Sequence, residues 1–387
     1  MALSKTLQLF LLLCSFIALS SQQCMTDEDC SLNGICSRRC GKCVCDPGWK
    51  GVDCGVLDTG PAKLFGGYNR TGEGISSWCN QIVHDPHDPS LYHLFLSEFA
   101  DHCGLDYWSP YSRIIRAESR SGPEGPYTFA AEVVGSFAHN PTLVYSKADN
   151  LYLLYYIGCP QTPADVCTGH KFSCGPGNSN NGESGISVQS SPDLRTWTFH
   201  GQVFQGTNSS DWDADVTNPS PLALHGPHDK DSTMLLAYRG CPYNCEHGEQ
   251  INLALSPTGF EGPYTRVQAD PIFSAVNEDP FIWLDKRGNY HLLLHSLEPE
   301  GGFGKGPKVG RHAFATHFMG PWTFNNNTLA FSTEVKYDDG TVINFYRRER
   351  PVLYFSDDGE MRPLFLSTGV QEVGSPMSYS VIVPVGN

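Results

Sequence analysis

Positive charge is scarce in this 387-residue chain: 26 Lys and Arg stand against 41 Asp and Glu, a net charge of −15. Such a field repels phosphate backbones and anionic lipid, so nucleic acid and membrane surfaces are not expected partners. A neutral ligand such as a sugar is easier to accommodate. Long apolar runs are scarce too. The one present, LQLFLLLCSFIAL, is too short for a membrane span and is followed by small residues at Ala18 and Ser20. It predicts a secretory signal peptide over residues 1–20 and an exported, soluble product with no membrane span. Also missing are the GxSxG nucleophile elbow, the phosphate-cradling GxxxxGK[ST] and the zinc-binding HExxH, so these chemistries are set aside and no cofactor is expected to be required. Disorder is excluded by 40% hydrophobic and 12% aromatic residues, enough for a sizeable core.

What the chain has in quantity is one repeated phrase. NEDPFIWLDKRGNYHLLLH, residues 277–295, opens on acidic residues and Pro, runs into a short apolar strand, turns through a polar Gly-containing segment and ends in a second strand. Two β-rich runs around such a turn read as a hairpin, with Pro at the first strand position, where no ladder N–H is needed. Copies begin at His139, Thr217 and Arg348, and a degenerate copy spans residues 81–98, making five. A second phrase, a polar strand followed by Gly-Pro-aromatic, recurs at Gly125-Pro126-Tyr127, Gly262-Pro263-Tyr264 and Gly320-Pro321-Trp322. Four strands per unit at roughly 55–80 residues predict an all-β fold, a five-bladed β-propeller over residues 78–387.

Cysteine is plentiful. Of 15, Cys14 leaves with the signal peptide, and seven of the remaining 14 crowd into residues 24–54. An even number suits an oxidising compartment. The phrase Cys43-Val-Cys45, DPGWKGVD, Cys54, with Cys24, Cys30 and Cys36 before it, resembles an EGF-like module. The resemblance implies bridges Cys24 to Cys36, Cys30 to Cys43 and Cys45 to Cys54. Cys40 is then left over and seven cysteines remain in the large domain, so Cys40 either bridges to that domain, stays a free thiol or competes with Cys43. No acidic residue precedes Cys24, unlike the calcium-binding EGF pattern, and the module is expected to be a spacer or a protein contact. Residues 55–77, Gly-rich, read as a linker and lead-in. Asn69, Asn208 and Asn326 begin glycosylation sequons.

At Asp279-Pro280 and Asn218-Pro219-Ser220-Pro221 the repeat resembles the five-bladed propellers of arabinanases, levansucrases and invertases, and most of all the family-43 glycoside hydrolases. The resemblance implies catalysis by an Asp base, a second orienting Asp and a Glu acid from successive blades, and some relatives hold a calcium ion on the propeller axis. Here the strand openings read His84-Asp85, His139-Asn140, Thr217-Asn218, Glu278-Asp279 and Glu349-Arg350. Asn140 and Asn218 depart from the pattern, since amides do not serve as ordinary general bases.

The expected catalytic carboxylates are Glu278 and Asp279, of which strand alternation should turn only one toward the funnel, together with Glu349 and Glu98. Asp279 has the alternative of bonding the strand backbone, and Glu349 that of an ion pair holding the last blade. His139, Asn140, Asn218, Arg239, His295 and Trp78 are expected to bind sugar, with Trp212 as a second platform, and a structural role is the competing reading for each His, Arg and Trp. Asp211, Asp213 and Asp215 alternate in DWDAD, either as calcium ligands or as a solvated acidic turn. The function expected is a secreted glycoside hydrolase acting on an extracellular glycan; the alternative is a non-catalytic glycan-binding or adhesion protein.

Overall fold

Each repeat becomes one antiparallel sheet. The computed structural model describes residues 23–158, 166–167, 185–206, 210–225, 232–242, 248–297 and 309–386. The N-terminal module holds β1 (Gly34–Ser37), β2 (Lys42–Cys45), β3 (Trp49–Lys50) and β4 (Val56–Leu57). Blade 1 is β5 (Ser77–His84), β6 (Tyr92–Phe99), β7 (Ser112–Ser119) and β8 (Thr128–Val134). Blade 2 is β9 (His139–Ser146), β10 (Leu151–Ile157), β11 (Ile186–Ser191) and β12 (Thr198–Phe204). Blade 3 is β13 (Asp215–Ala223), β14 (Met234–Cys241), β15 (Gln250–Ser256) and β16 (Thr265–Arg266). Blade 4 is β17 (Asn277–Leu284), β18 (Tyr290–Ser296), β19 (Val309–Ala315) and β20 (Thr323–Phe324). A small pair, β21 (Glu334–Lys336) and β22 (Val342–Asn344), precedes blade 5, which is β23 (Arg347–Phe355), β24 (Pro363–Gln371) and β25 (Ser378–Pro384).

The first strands of the blades touch in a closed cycle, β5 on β9, β9 on β13, β13 on β17, β17 on β23 and β23 back on β5. Apolar second strands such as Leu292, Leu293 and Leu294 are fully buried between blades, which is why the repeat's second run carries no polar alternation. The recurrent Gly-Pro-aromatic phrase is one turn used three times, with Gly125, Gly262 and Gly320 at φ 86°, 88° and 83°, a region that favours glycine.

One expectation about the chain's start is corrected. The innermost strand of blade 1 begins at Ser77, so its axis-facing pair is Trp78-Cys79, not His84-Asp85. Asp85 lies at the strand's far end, accepting from His93 Nε2 at 2.8 Å and Arg195 Nη2 at 2.7 Å. Residues 55–77, the expected linker and lead-in, run against the segment before blade 5 and against blade 5 itself. Leu57 N–H donates to Ala330 O, Ala62 bridges Tyr337, and Tyr68 and Ser380 exchange both backbone hydrogen bonds. That exchange gives the three-stranded fifth sheet an outer partner and covers its edge.

The three expected bridges of the small module are present, Cys24–Cys36, Cys30–Cys43 and Cys45–Cys54, and Cys103 joins Cys167 in the large domain. Cys40 is disulfide-bonded, which removes the free-thiol alternative. The module docks on blade 4. Trp49 stacks on Trp283 with centroids 6.4 Å apart and lies 5.2 Å from His312. Arg287 pairs with Asp46 at 2.6 Å, and Asp53 accepts from Thr328 Oγ1 at 2.7 Å and Asn325 Nδ2 at 3.0 Å. Asn69 and Asn326 are exposed, whereas Asn208 and residues 1–20 lie outside the described residues.

Candidate functional site

A β-bulge opens each inner strand at the same place. In blade 4, Glu278 pairs with His295 and the register then jumps to Phe281 opposite Leu293, leaving Asp279 and Pro280 without partners. Blades 1, 3 and 5 shift at Trp78/Asn80, Thr217/Ser220 and Glu349/Val352. The residue inside each bulge is left-handed: Cys79, Asn140, Asn218, Asp279 and Arg350 have φ of 48°, 54°, 53°, 57° and 55°. Asn and Asp tolerate this conformation better than other side chains, so backbone geometry alone favours the Asx residues at three of the five openings.

These five side chains form a ring around the axis. Asn140 Nδ2 donates to Asn218 Oδ1 at 2.8 Å, and Asn218 Nδ2 to Asp279 Oδ1 at 2.8 Å. Arg350 donates to Asp279 through its backbone N–H (3.2 Å) and through Nη1 (3.2 Å), and its Nε lies 3.4 Å from Cys79 Sγ. Asp279 also receives His295 Nδ1 at 3.3 Å on Oδ2. Four donors occupy the two oxygens of one carboxylate, which is about its full capacity. The neighbouring Arg350 and His295 charges outweigh burial and hold its carboxyl below the usual range. Asp279 is therefore a keystone of the ring, with no lone pair left for a substrate.

Glu278 is placed differently. The bulge breaks the alternation that should have hidden it behind Asp279, and both residues face His295, with Glu278 Oε1 at 3.4 Å from its Nδ1. Burial and the charge of Asp279 push the Glu278 carboxyl up to about 7, only partly offset by His295 and by Arg239, whose Nε stands 3.7 Å from Glu278 Oε2. On its other side His295 Nε2 faces Glu349 Oε1 at 3.6 Å, too long for a hydrogen bond, and neither atom has another partner. Burial alone would lower His295; the three carboxylates Glu349, Asp279 and Glu278 reverse this and raise it. Glu278, Asp279, His295 and Glu349 each bring one carboxylate oxygen or ring nitrogen within 4.8 Å of the others; with Asp279 saturated, Glu278, His295 and Glu349 are the members left to hold a proton or a cation.

Glu98 does not join this group. It is fully buried in blade 1, where Arg113 Nη2 meets Oε1 at 2.6 Å and Arg70 Nη1 and the Tyr68 hydroxyl meet Oε2. His139 is 5% exposed and stacked on Trp108 at 5.0 Å. Since Ser112 Oγ–H donates to Ala138 O, His139 Nδ1–H is the donor to Ser112 Oγ at 2.8 Å, and burial lowers the ring to about 3. It is a neutral imidazole. Asn140 and Asn218 spend their amides on the ring, and His295 is fully buried.

Trp78 is 4% exposed and packed so closely on Gly369 that a Cβ there would lie 2.7 Å from its ring. It fills the seam between blades 1 and 5 and is not an open platform. Trp212 donates through Nε1 to Ala269 O at 2.7 Å. In DWDAD, Asp213 is buried, accepting from the Tyr238 hydroxyl (2.6 Å) and Arg266 Nε (2.5 Å), so it is not part of a solvated turn.

Sequence reasoning missed two members of the ring. Cys79, the free cysteine among the described residues, carried only the signal of an odd cysteine count. Arg350 stands second in the strand opening Glu349-Arg350, with nothing in its immediate sequence to show that it reaches across the axis.

Residues 24–54 match the model of the EGF-like domain. This segment is an EGF-like module. No curated protein matches the chain in sequence. Among solved structures, the catalytic domain of the Coprinopsis cinerea GH62 α-L-arabinofuranosidase is similar at a TM-score of 0.55 and 12% identity, covering 85% of this chain and 96% of that one. A family 117 glycoside hydrolase of the marine bacterium Zobellia galactanivorans matches at 0.55 and 13%, covering 88% and 92%. A thermostable family-43 glycoside hydrolase matches at 0.50 and 12%, covering 85% and 92%. The large domain thus has the five-bladed propeller fold of these glycoside hydrolases. Among the described residues no helix is long and apolar enough to cross a membrane.

Proposed function

We propose that this chain is an exported glycoside hydrolase in which Glu278 donates the proton to the leaving oxygen and Glu349 is the partner carboxylate. The observation that carries the reading is Glu278 itself, a buried carboxyl pushed up to about 7 beside a second carboxylate with an unpartnered oxygen. A general acid works best with its pKa near the working pH. One oxygen of Glu278 and one of Glu349 lie within 4.8 Å of one another, and a close pair of carboxyls favours the retaining course, whose spacing is about 5–5.5 Å, over the inverting one at about 6.5–9.5 Å. In the retaining course Glu349 attacks the anomeric carbon, the glycosidic oxygen leaves with the Glu278 proton, and water then cleaves the glycosyl ester as Glu278 takes its proton back. His295 between them, charged and fixed by Asp279, would stabilise whichever carboxylate is ionised. The fold shared with glycoside hydrolases supports a glycan as substrate, and the disulfides of the EGF-like module support an extracellular setting. With its inner side taken up by blade 4, the module would use its outer face for any protein contact.

The second reading, a glycan-binding protein without catalysis, is favoured by the ring: Cys79, Asn140, Asn218 and Arg350 are not carboxylates and Asp279 is saturated. Product release from a panel of polysaccharides, with binding recorded on the same samples, separates the two. Release by the wild type that falls by about 100- to 10,000-fold in Glu278→Gln, with binding retained, supports hydrolysis. Binding without release by the wild type supports the second reading.

A further inference from the structure

Arg350 closes the propeller axis from within. It enters from blade 5, is 3% exposed, and reaches Asp279 of blade 4 through Nη1, Cys79 of blade 1 through Nε and the backbone oxygen of Asn140 of blade 2 through Nη2 at 3.5 Å. Blade 3 is tied in by Asn218, whose amide links Asn140 to Asp279. One guanidinium is thus bonded to three other blades and, through Asn218, coupled to the last. We infer that Arg350 is a built-in axial cation and that this chain binds no divalent ion on its axis.

The donor set agrees. Calcium takes six to eight oxygens at about 2.3–2.6 Å. This ring offers one carboxylate whose four acceptor positions are filled, an Asn218 amide bonded on both sides, a thiol that burial keeps protonated, and a single unpartnered oxygen, Asn140 Oδ1, far short of a calcium shell. An ion placed there would also stand against the guanidinium, like charge on like charge in a dry interior. Removing the side chain changes the balance. Asp279 Oδ1 and Asn140 O would then lose their guanidinium donors and face the void it leaves. An Arg350→Ala chain should acquire the cation dependence that the native chain lacks. The inference stands whether or not the protein hydrolyses glycans.

The test is thermal unfolding of the full chain in chelator and in millimolar calcium, with the metal content of the dialysed protein measured alongside. The wild-type midpoint is expected to differ by less than on the order of 1 °C between the two, a shift well below that of a single lost contact. Arg350→Ala should melt lower and regain part of the loss in calcium or in dilute guanidinium ion. The result that overturns the inference is a divalent ion held by the wild type, lost in Asp279→Asn but kept in Glu349→Gln, whose chelation lowers the midpoint. An ion lost in Glu349→Gln, with the midpoint of that variant then indifferent to chelator, belongs to the Glu278–His295–Glu349 group and supports the axial assignment. If Arg350→Ala does not fold, the wild-type and Glu349→Gln measurements still decide.

Discussion

Glu98 and Glu278 are both buried glutamates near the openings of inner blade strands, and their surroundings could hardly differ more. Glu98 meets two arginines and a tyrosine hydroxyl. Glu278 meets one imidazole, a distant arginine and two other carboxylates. Burial by itself therefore says little about a carboxylate's task. Partners decide what a buried carboxylate can do: Glu98 has its oxygens taken up by donors, whereas Glu278 is crowded by other carboxylates.

The largest effect should come from breaking the satisfied site. Glu98→Ala removes the buried anion that Arg113 and Arg70 share, and a loss of about 3 kcal/mol is expected in denaturant unfolding, the low end for a broken buried pair because each arginine keeps an outer partner, Glu132 and Glu73. A loss well under 1 kcal/mol would mean that water satisfies the site and would erase the contrast. The under-satisfied site should respond in the opposite sense. Because the Glu278 carboxyl is raised from 4.5 to about 7, its contribution to stability is complete below about pH 4.5 and is lost as pH rises through 7. His295, also raised, adds to the loss at higher pH. Melting midpoints measured from pH 5 to 9 should fall for the wild type across that window and fall less for Glu278→Gln, which at pH 8 should be as stable as the wild type or more so. The smallest change is Arg239→Met. Removing a cation 3.7 Å from Glu278 should move the basic limb of the pH–rate profile upward by less than about one unit, and a downward move would show that Arg239 does not act on Glu278.

The two glutamates also show where sequence reading succeeds. Hairpin grammar in blades 2 to 5 follows from local chemistry, Asx-Pro at a strand mouth and Gly in a turn, and so it was legible. Blade 1 was misaligned by six residues because Asp85-Pro86 imitates the opening phrase while the true opening, Trp78-Cys79, has no Pro. The identity of Glu278 as a candidate was legible from its place in the repeat. Its partners were not, since Glu349 and Arg350 come from another blade and the bulge that turns both Glu278 and Asp279 inward is a pairing between strands. Trp78 failed as a sugar platform for a similar reason: its neighbour Gly369 lies at the other end of the chain. The EGF-like pairings were readable because all six cysteines lie within one local frame.

The exchange of backbone bonds between Tyr68 and Ser380 bears on biosynthesis. A ring whose first and last segments must meet cannot be completed while the chain is still being made. The early blades, however well formed, would wait with an open flank until some three hundred further residues have emerged, the period in which unpaired strand edges are most prone to aggregate. Truncation of even the last few residues should then be felt during production of the protein, as low yield, before it is felt in any assay of what the protein does.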